Sequence, residues 1–201
     1  MALAADVDVA LRRSERELIL VSPYYVPGDA GVAYARELVG RGVRVVVITN
    51  SLASNNHVAV QSGYAAYRKD VIDAGVELYE VRANAGRAIE STDALTLHTK
   101  LILIDRRYVF VGSLNLDPRS LEINAEMGLL IESEELAGKM AAGIEAEVPA
   151  VAYRLVLDEK DRLRWRGVID GIPMTETSEP LASRWLRFKA WILRLAPEGQ
   201  L

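Results

Sequence analysis

Buried strands alternate with amphipathic helices through the first eighty residues, and this order constrains the fold more than any other feature. The three predicted strands cover Glu17 to Ser22, Val43 to Thr49 and Val76 to Val81. The first intervening helix is predicted to end at Gly40 or Gly42, and the second runs from about His57 to Ala74 and is closed by Gly75. Because parallel strands need such crossovers, the pattern predicts parallel strands covered by helices.

The next segment predicts a hairpin followed by one more strand and helix. Thr96 to Ile104 is almost continuously apolar and rich in β-branched residues, which indicates a buried strand. The charged residues Asp105 to Arg107 then predict a turn into a second strand, Tyr108 to Val111. A strand is expected around Met127 to Ile131, and a helix at Glu134 to Glu147. The expected fold is therefore α/β, a mixed β-sheet flanked by helices on both faces.

The last fifty residues differ in character from the rest. Tyr153 to Val168 predicts a β-hairpin, Pro173 to Pro180 resembles a linker, and Leu181 to Leu195 predicts a helix. That helix is basic and amphipathic, with two Trp and one Phe, so it is expected to lie on an anionic bilayer or to dock on protein. Two units are predicted: a catalytic half-domain over residues 1–150 and a hairpin-and-helix appendage over residues 151–201.

Composition limits the chemistry that the chain can use. Of its 201 residues, 50% are hydrophobic and 26% are charged, so the chain can bury a core and form a compact domain. The absence of cysteine excludes disulfides and a thiolate metal site, and two His residues leave little for a metal cluster. No metal or cofactor is expected. The formal net charge of −4 disfavours a nucleic-acid partner, because such binding depends on clustered Lys and Arg.

One motif carries most of the chemical information. The segment LHTKLILIDRRYVFVGSLN contains the pattern His-x-Lys-x4-Asp-x6-Gly-Ser-x-Asn. The motif residues are His98, Lys100, Asp105, Gly112, Ser113 and Asn115. Alternate side chains of a strand share a face, so His98 and Lys100 are expected on the same side. The hairpin is expected to return the Gly-Ser-x-Asn end to the edge where His98 lies, so that one site holds all six residues.

These residue types suit phosphodiester chemistry without a metal. Imidazole, with an unperturbed pKa of about 6.5, can attack phosphorus when neutral and protonate a leaving oxygen when charged. Lys100 can neutralise a phosphate oxygen, and Gly112 permits close backbone approach. Ser113 and Asn115 can donate hydrogen bonds to the phosphate. The turn residue Asp105 can serve the site or simply satisfy nearby backbone donors.

At these residues the sequence closely resembles the phospholipase D superfamily, whose signature is this His-Lys-Asp motif. The segments SPYYVPGDAG, TNSLASNNHVAVQSGYAAYRKDVIDAGVELYEV and GSLNLDPRSLEINAEMG resemble the C-terminal half of bacterial cardiolipin synthase-like phosphatidyltransferases. The resemblance covers about residues 15 to 195. It implies a phospholipase D-like fold and phosphatidyl transfer between phospholipids, with one His forming a phosphohistidine and the His of an opposing motif protonating the leaving alcohol. It also implies that Glu126 orients the opposing His.

The chain holds one copy of the motif. His57 is not a second copy, because no Lys lies two residues later and no Gly-Ser-x-Asn follows; it is expected at the entry of a helix. The resemblance therefore implies half a site, completed by an upstream half of a longer enzyme, which we favour, or by a second identical chain. The alternative functions are a homodimeric phosphodiesterase or nuclease and a non-catalytic module that binds lipid phosphate.

Other features are weaker candidates for contact with substrate or membrane. The loops Tyr24 to Pro27 and Asn50 to Asn56 follow predicted strands, and open α/β sheets bind ligands at such ends. Arg119 could reach a second phosphate or form a surface ion pair. The apolar runs are strand-sized and the start lacks the features of a signal peptide, so the fragment is expected to be soluble. The resemblance implies a place at the cytoplasmic face of the bacterial inner membrane, or peripheral to it.

Overall fold

The computed structural model describes residue 7 and residues 9–85 and 96–193. Within these residues one mixed sheet has nine strands in the order β6-β5-β4-β1-β2-β3-β7-β8-β9. The strands are β1 (Glu17–Val21), β2 (Arg44–Asn50), β3 (Glu77–Val81), β4 (Leu101–Ile104), β5 (Tyr108–Gly112), β6 (Gly128–Glu132), β7 (Ala152–Leu157), β8 (Leu163–Ile169) and β9 (Ile172–Glu176). The helices are α1 (Gly28–Gly40), α2 (Val58–Asp73), α3 (Pro118–Glu122), α4 (Glu134–Val151) and α5 (Arg184–Leu193).

The first three strands form the parallel centre of the sheet, as their order in the sequence predicts. β1 pairs with β2 and β2 with β3, both in parallel, and α1 and α2 make the crossovers. Gly42 and Gly75 follow the two helices with φ of +89° and +90°, a conformation that glycine adopts without steric penalty. Both helices therefore end close to the predicted positions.

Helices cover both faces of the sheet. Leu38 of α1 and Val71 of α2 are fully buried in the hydrophobic cluster on one face. Ala137 and Ala141 of α4 are equally buried in a second cluster. β2 contributes alternate residues to the two clusters, Val45 and Val47 to the first and Val46 and Ile48 to the second. Since alternate residues of a strand point to opposite faces, the clusters lie on opposite sides, and the predicted fold class is confirmed.

β4 and β5 form the predicted hairpin on the other side of β1. Three residues, Asp105 to Arg107, connect the two strands. Asp105 and Arg106 have φ of 53° and 54°, and the N–H of Arg107 donates to the carbonyl of Ile104 at 2.9 Å. The predicted strand was too long at its start, because residues 96–100 lie outside β4. The physical reason is that the neighbouring strand β1 ends at the residue that pairs with the first residue of β4.

The C-terminal segment extends the same sheet. β7 pairs with β3, and β8 and β9 follow in antiparallel order, so the predicted hairpin is confirmed. The interpretation of residues 173–180 as a linker is wrong for their first part, since Ile172–Glu176 forms β9 along the free edge of β8. The strands of the predicted appendage are therefore continuous with the sheet of the first 150 residues.

A buried ion cluster joins this segment to the centre of the fold. The Arg68 side chain, 2% exposed, pairs at 2.7 Å with the fully buried carboxylate of Glu80 and also binds Glu179. The guanidinium lies over the ring of Trp165 at 5.4 Å, and the Trp165 indole donates to Glu80 at 2.8 Å. Buried charges stabilise a fold only when their hydrogen bonds are satisfied, and here each partner has several.

α5 forms within the predicted C-terminal helix, of which residues 194 and 195 lie outside the described part of the chain. Its residue Ala190 is buried against Leu52, so the helix docks on the domain. Among the described helices, none combines the length and the apolar character that crossing a bilayer requires.

Candidate functional site

The motif residues, with one exception, gather at the edge of the sheet where β1 and β2 end. Val21, the last residue of β1, pairs with Leu101, so the segment carrying His98 and Lys100 continues beyond this edge. The N–H of Gly112 donates to the carbonyl of Lys100 at 3.4 Å. The hairpin thus returns Gly112 and the following residues to the neighbourhood of Lys100, as the spacing predicts.

His98 and Lys100 bring an imidazole and an ammonium group together. Lys100 Nζ lies 3.5 Å from His98 Nε2 and donates to the His98 carbonyl at 3.0 Å. His98 is exposed and Lys100 is partly buried. Partial burial lowers the pKa of Lys100 below its ordinary value, while the carboxylates of Glu126 and Asp117 act in the opposite direction. The edge therefore presents an accessible imidazole beside a cation.

Ser113 and Glu126 form the second part of the site. The Ser113 hydroxyl donates to Glu126 Oε2 in a short hydrogen bond, and Asn124 Nδ2 donates to Oε1 at 3.3 Å. The N–H of Met127 donates to Ser113 Oγ at 3.0 Å, and the N–H of Ser113 donates to the Met127 carbonyl at 2.8 Å. The start of β6 is thereby fastened to the end of β5. Both carboxylate oxygens of Glu126 are held, which fixes the orientation of the group.

Asn115 lies just below this edge, turned towards α3. Its Nδ2 donates to Ser120 Oγ at 3.4 Å, and its Oδ1 is buried and accepts no hydrogen bond from the described residues. Next to it, the Leu116 N–H donates to the carbonyl of Tyr24 at 3.2 Å. The loop that follows β1 is thus attached to the end of the motif, and its expected contact with substrate stays a prediction.

Gly112 packs closely against β6, and its predicted contact with phosphate stays a prediction. A Cβ atom placed on Gly112 would lie 2.3 Å from the carbonyl oxygen of Met127 and 2.7 Å from Cα of Gly128. Gly112 and Gly128 are partners in the β5–β6 ladder. The backbones of β5 and β6 therefore approach closely at Gly112, which lets Glu126, in the segment just before β6, reach Ser113.

Asp105 does not lie at the site, and the expectation that one site holds all six motif residues is wrong. It follows the far end of β4 from His98, on the order of 20 Å away at about 3.3 Å per residue. Its carboxylate accepts hydrogen bonds from the backbone N–H groups of Glu15, Arg16 and Glu17 at 2.8 to 3.2 Å. Asp105 therefore anchors the start of β1, which is the role of backbone acceptor that its turn position also allowed.

Asn50 is a positioning residue whose role the sequence did not indicate. It is fully buried at the end of β2, and its amide binds both backbone groups of Leu97, with Nδ2 donating at 3.0 Å and Oδ1 accepting at 2.9 Å. Ser54 Oγ also donates to Asn50 Oδ1, at 3.2 Å. These polar groups of the Asn50 to Asn56 loop, expected to face substrate, instead hold the backbone beside His98. The sequence feature that could have indicated this role is a polar Asn at the end of an apolar strand.

The remaining candidates surround the edge without joining the central group. The Tyr24 hydroxyl donates to Asn56 Oδ1 at 2.8 Å, and the Tyr24 ring meets His57 edge-on at 5.3 Å between centroids. His57 directly precedes α2, the predicted helix entry. Arg119 is exposed on α3. Within the described residues, no three His, Asp or Glu side chains cluster as metal ligands would.

The chain is similar to bacterial lipid enzymes over most of its length. Residues 8–147 match the family described as "Cardiolipin synthase, PLD-like domain". Cardiolipin synthase C of Escherichia coli (strain K12) is 36% identical over 197 residues, which are 94% of this chain and 41% of that protein. Cardiolipin synthase A of Proteus mirabilis (strain HI4320) is 30% identical over 153 residues, 76% of this chain and 29% of that protein. The chain thus spans less than half the length of these relatives.

Solved structures share the fold at low sequence identity. Nuc from Salmonella typhimurium, a phospholipase D family member, has a TM-score of 0.58 at 16% identity over 75% of this chain and 90% of that chain. Phosphatidylserine synthase from Haemophilus influenzae Rd KW20 has a TM-score of 0.56 at 16% identity over 77% of this chain and 37% of that chain. At these identities the likeness concerns the fold.

Proposed function

Because the chain belongs to the PLD-like domain family of cardiolipin synthases, we propose that it is the C-terminal catalytic half of an enzyme that transfers a phosphatidyl group between phospholipids. The observation that carries this proposal is the exposed His98 imidazole with the Lys100 ammonium 3.5 Å from its Nε2. The pair lies at the edge where Ser113 and Glu126 meet. Such an edge can bind one phosphate and move one proton, which is half of what phosphodiester exchange through a covalent intermediate requires.

In the proposed reaction two imidazoles act on one phosphorus. A nitrogen of the first attacks the phosphorus of the donor lipid, the P–O bond to the leaving alcohol breaks, and the second imidazolium gives its proton to that oxygen. The second imidazole, now neutral, takes the proton of the incoming hydroxyl, whose oxygen attacks phosphorus as the P–N bond breaks. We assign the second role to His98 and the nucleophile to the opposing half. Lys100 balances the charge of the non-bridging oxygens.

Exposed apolar residues beside the site support a missing second half. They are Val111, Met127 and Leu129, each between 41% and 81% exposed. On the same face, the next residues of β5 and β6 are covered by α4, so the bare patch is confined to the site edge. Patches of this kind mark interaction surfaces. We favour an upstream half of the same polypeptide as the occupant, because the matched part of cardiolipin synthase C is 41% of that protein.

The test compares the two His residues of the chain in an enzyme reconstituted by co-expression with its upstream half. Transfer is measured as cardiolipin formed in phosphatidylglycerol vesicles. We expect His98→Ala to lower turnover by at least about 1000-fold, which is within the range for loss of a general acid–base group, and His57→Ala to stay within about twofold. Undiminished transfer by His98→Ala would refute the assignment. A reconstituted enzyme that binds lipid phosphate without any turnover would instead indicate a binding module.

A homodimeric phosphodiesterase is the second candidate. One observation favours it: the match to this chain covers 90% of the Nuc chain. A protein of this fold can therefore consist of one domain of about this size. Light scattering over a concentration series separates the two candidates. A tight dimer with His98-dependent turnover would support the homodimer, and a monomer without turnover would support the missing half. The formal charge of −4 favours a substrate other than nucleic acid in either case.

A further inference from the structure

α5 is fixed to the domain by the side that carries Leu186 and Ala190. Ala182, just before the helix, and Ala190 are both buried, and they pack against Leu52 and Val58 at the entry of α2. The hydroxyl of Ser62, also buried, donates to the carbonyl of Ala190 at 2.9 Å. Small side chains allow this close approach of the two helices. The docking leaves the opposite side of α5 facing solvent.

Large apolar side chains occupy that outer side. Trp185 is 70% exposed, Trp191 58%, Phe188 48% and Ile192 44%. The Phe188 ring contacts both indoles, with centroids 5.8 Å from Trp185 and 6.2 Å from Trp191. Trp is mostly buried in folded proteins, so two exposed Trp residues around one Phe form an unusual surface. We call these four residues the aromatic face.

Cations border the aromatic face. The helix sequence RWLRFKAWIL contains three cations and no Asp or Glu. At about 100° per residue, the aromatic face lies between Arg187 on one side and Lys189 on the other, and Arg184 lies at its N-terminal end. In the described part of the chain, no ion pair includes Arg184, Arg187 or Lys189. The outer side of α5 is thus apolar at its centre and positive at its margins.

We infer that α5 is an interfacial helix that seats the domain on an anionic phospholipid bilayer. Trp and Phe enter the boundary between headgroups and acyl chains, where an amphipathic ring is most stable, and the flanking cations meet lipid phosphates. The charge pattern favours a membrane over a protein surface as the occupant. Each of the three cations can be neutralised by an anionic headgroup, and no acidic residue of the helix would be repelled.

The position of α5 gives this docking a consequence for the site. Leu52, which α5 covers, lies in the loop after β2, and Asn50 at the end of β2 binds the backbone next to His98. α5 and His98 therefore lie at the same edge of the sheet. A bilayer bound by α5 would hold phospholipid headgroups close to this edge. This consequence rests on the proposed function, whereas the binding of α5 to the bilayer does not.

Vesicle binding of the 201-residue chain tests the inference. The chain is sedimented with vesicles of phosphatidylglycerol and phosphatidylcholine, or of phosphatidylcholine alone, in low salt. The intrinsic fluorescence reports the location, because Trp185 and Trp191 are exposed and the third Trp, Trp165, is 4% exposed and serves as a constant background. We expect binding that needs the anionic lipid, weakens with salt and shifts the Trp emission to the blue.

Paired variants give the decisive comparison. Trp185→Ser combined with Phe188→Ser should weaken binding on the order of 100-fold, since burial of each ring contributes about tenfold or more. Ile172→Ser, which alters an equally exposed apolar residue of β9, should bind as the parent does. Circular dichroism verifies that both remain folded. Equal binding to neutral vesicles, or an unaffected double variant, would overturn the inference. So would a double variant that loses only its association with the upstream half.

The His98→Ala chain separates this inference from the proposed function. It should bind anionic vesicles as the parent does, because His98 is not part of the aromatic face. Failure of the proposed function would show as transfer that does not depend on His98. Failure of the present inference would show as absent vesicle binding by both the parent chain and the His98→Ala chain.

Discussion

Gly112→Ala is the substitution that most directly links the packing of the sheet to the site. The new methyl group would lie 2.3 Å from the Met127 carbonyl oxygen, whereas an ordinary carbon–oxygen contact is about 3.3 Å. The start of β6 must therefore move by about 1 Å. Overpacking of this kind costs about 1–3 kcal/mol, and β6 is an edge strand that can yield without unfolding the domain.

The same shift should disturb the chemistry. The two hydrogen bonds between Ser113 and Met127, at 2.8 and 3.0 Å, fasten the segment just before β6, where Glu126 lies. Misplacement of reacting groups by about 1 Å can lower turnover about 100-fold. We therefore expect Gly112→Ala to fold, to lose about 1–3 kcal/mol in free energy of unfolding and to lose about 100-fold in transfer activity of the reconstituted enzyme.

Urea unfolding followed by circular dichroism measures the first effect, and lipid transfer measures the second. Gly143→Ala is the matched control, because its Cβ would meet no atom within 4 Å. Within α4 this change should raise the free energy of unfolding by about 0.5–1 kcal/mol, since alanine loses less backbone entropy. Parent-like stability and activity of Gly112→Ala would refute the reasoning that the approach of β6 to β5 positions the site.

Two further predictions concern the other end of the strands. Asp105→Ala should lower the free energy of unfolding by about 1–3 kcal/mol, because three backbone donors at the start of β1 lose their acceptor; loss of turnover at unchanged thermal stability would contradict this. Burial tends to raise the pKa of Glu17, but hydrogen bonds from Arg106 and Arg44 outweigh it and lower that pKa below its ordinary value. Ionised Glu17 therefore stabilises the fold above about pH 4.5, and this contribution is lost as pH falls through the lowered pKa. The urea midpoint should fall between about pH 5 and about pH 3, and less so in Arg44→Met; an identical fall in that variant would exclude the pair as its cause.

The elements that the sequence predicted well are those whose own residues carry a complete signal. The central strands have apolar β-branched residues on both faces, and glycines with positive φ end their helices. The errors occur where a strand depends on its neighbour. Residues 96–100 have strand-like composition but extend past the end of β1, and Ile172–Glu176 became β9 because β8 offered a free edge. Strand formation depends on such pairing as much as on propensity.

The site residues also fall into those that the sequence predicted and those that depend on neighbouring strands. His98, Lys100 and Ser113 were predicted together because a short hairpin turn of three residues fixes the register of the strands that carry them. Asn50 comes from a parallel strand almost fifty positions earlier, and only the sheet order brings it to Leu97. The interaction of Gly112 likewise depends on which strand lies next to β5. No local pattern contains either fact.

Sequence alone determined the chemistry that this protein can offer: one imidazole, one cation and the strands that carry them to a common edge. Tertiary structure decided which groups use that edge and which serve elsewhere. It placed the backbone N–H groups at the start of β1 against the Asp105 carboxylate, and it docked α5 through Ala190, leaving Trp185 in solvent. The physical reason is that periodicity fixes which residues share a face, whereas the packing of neighbouring elements selects the face that is buried.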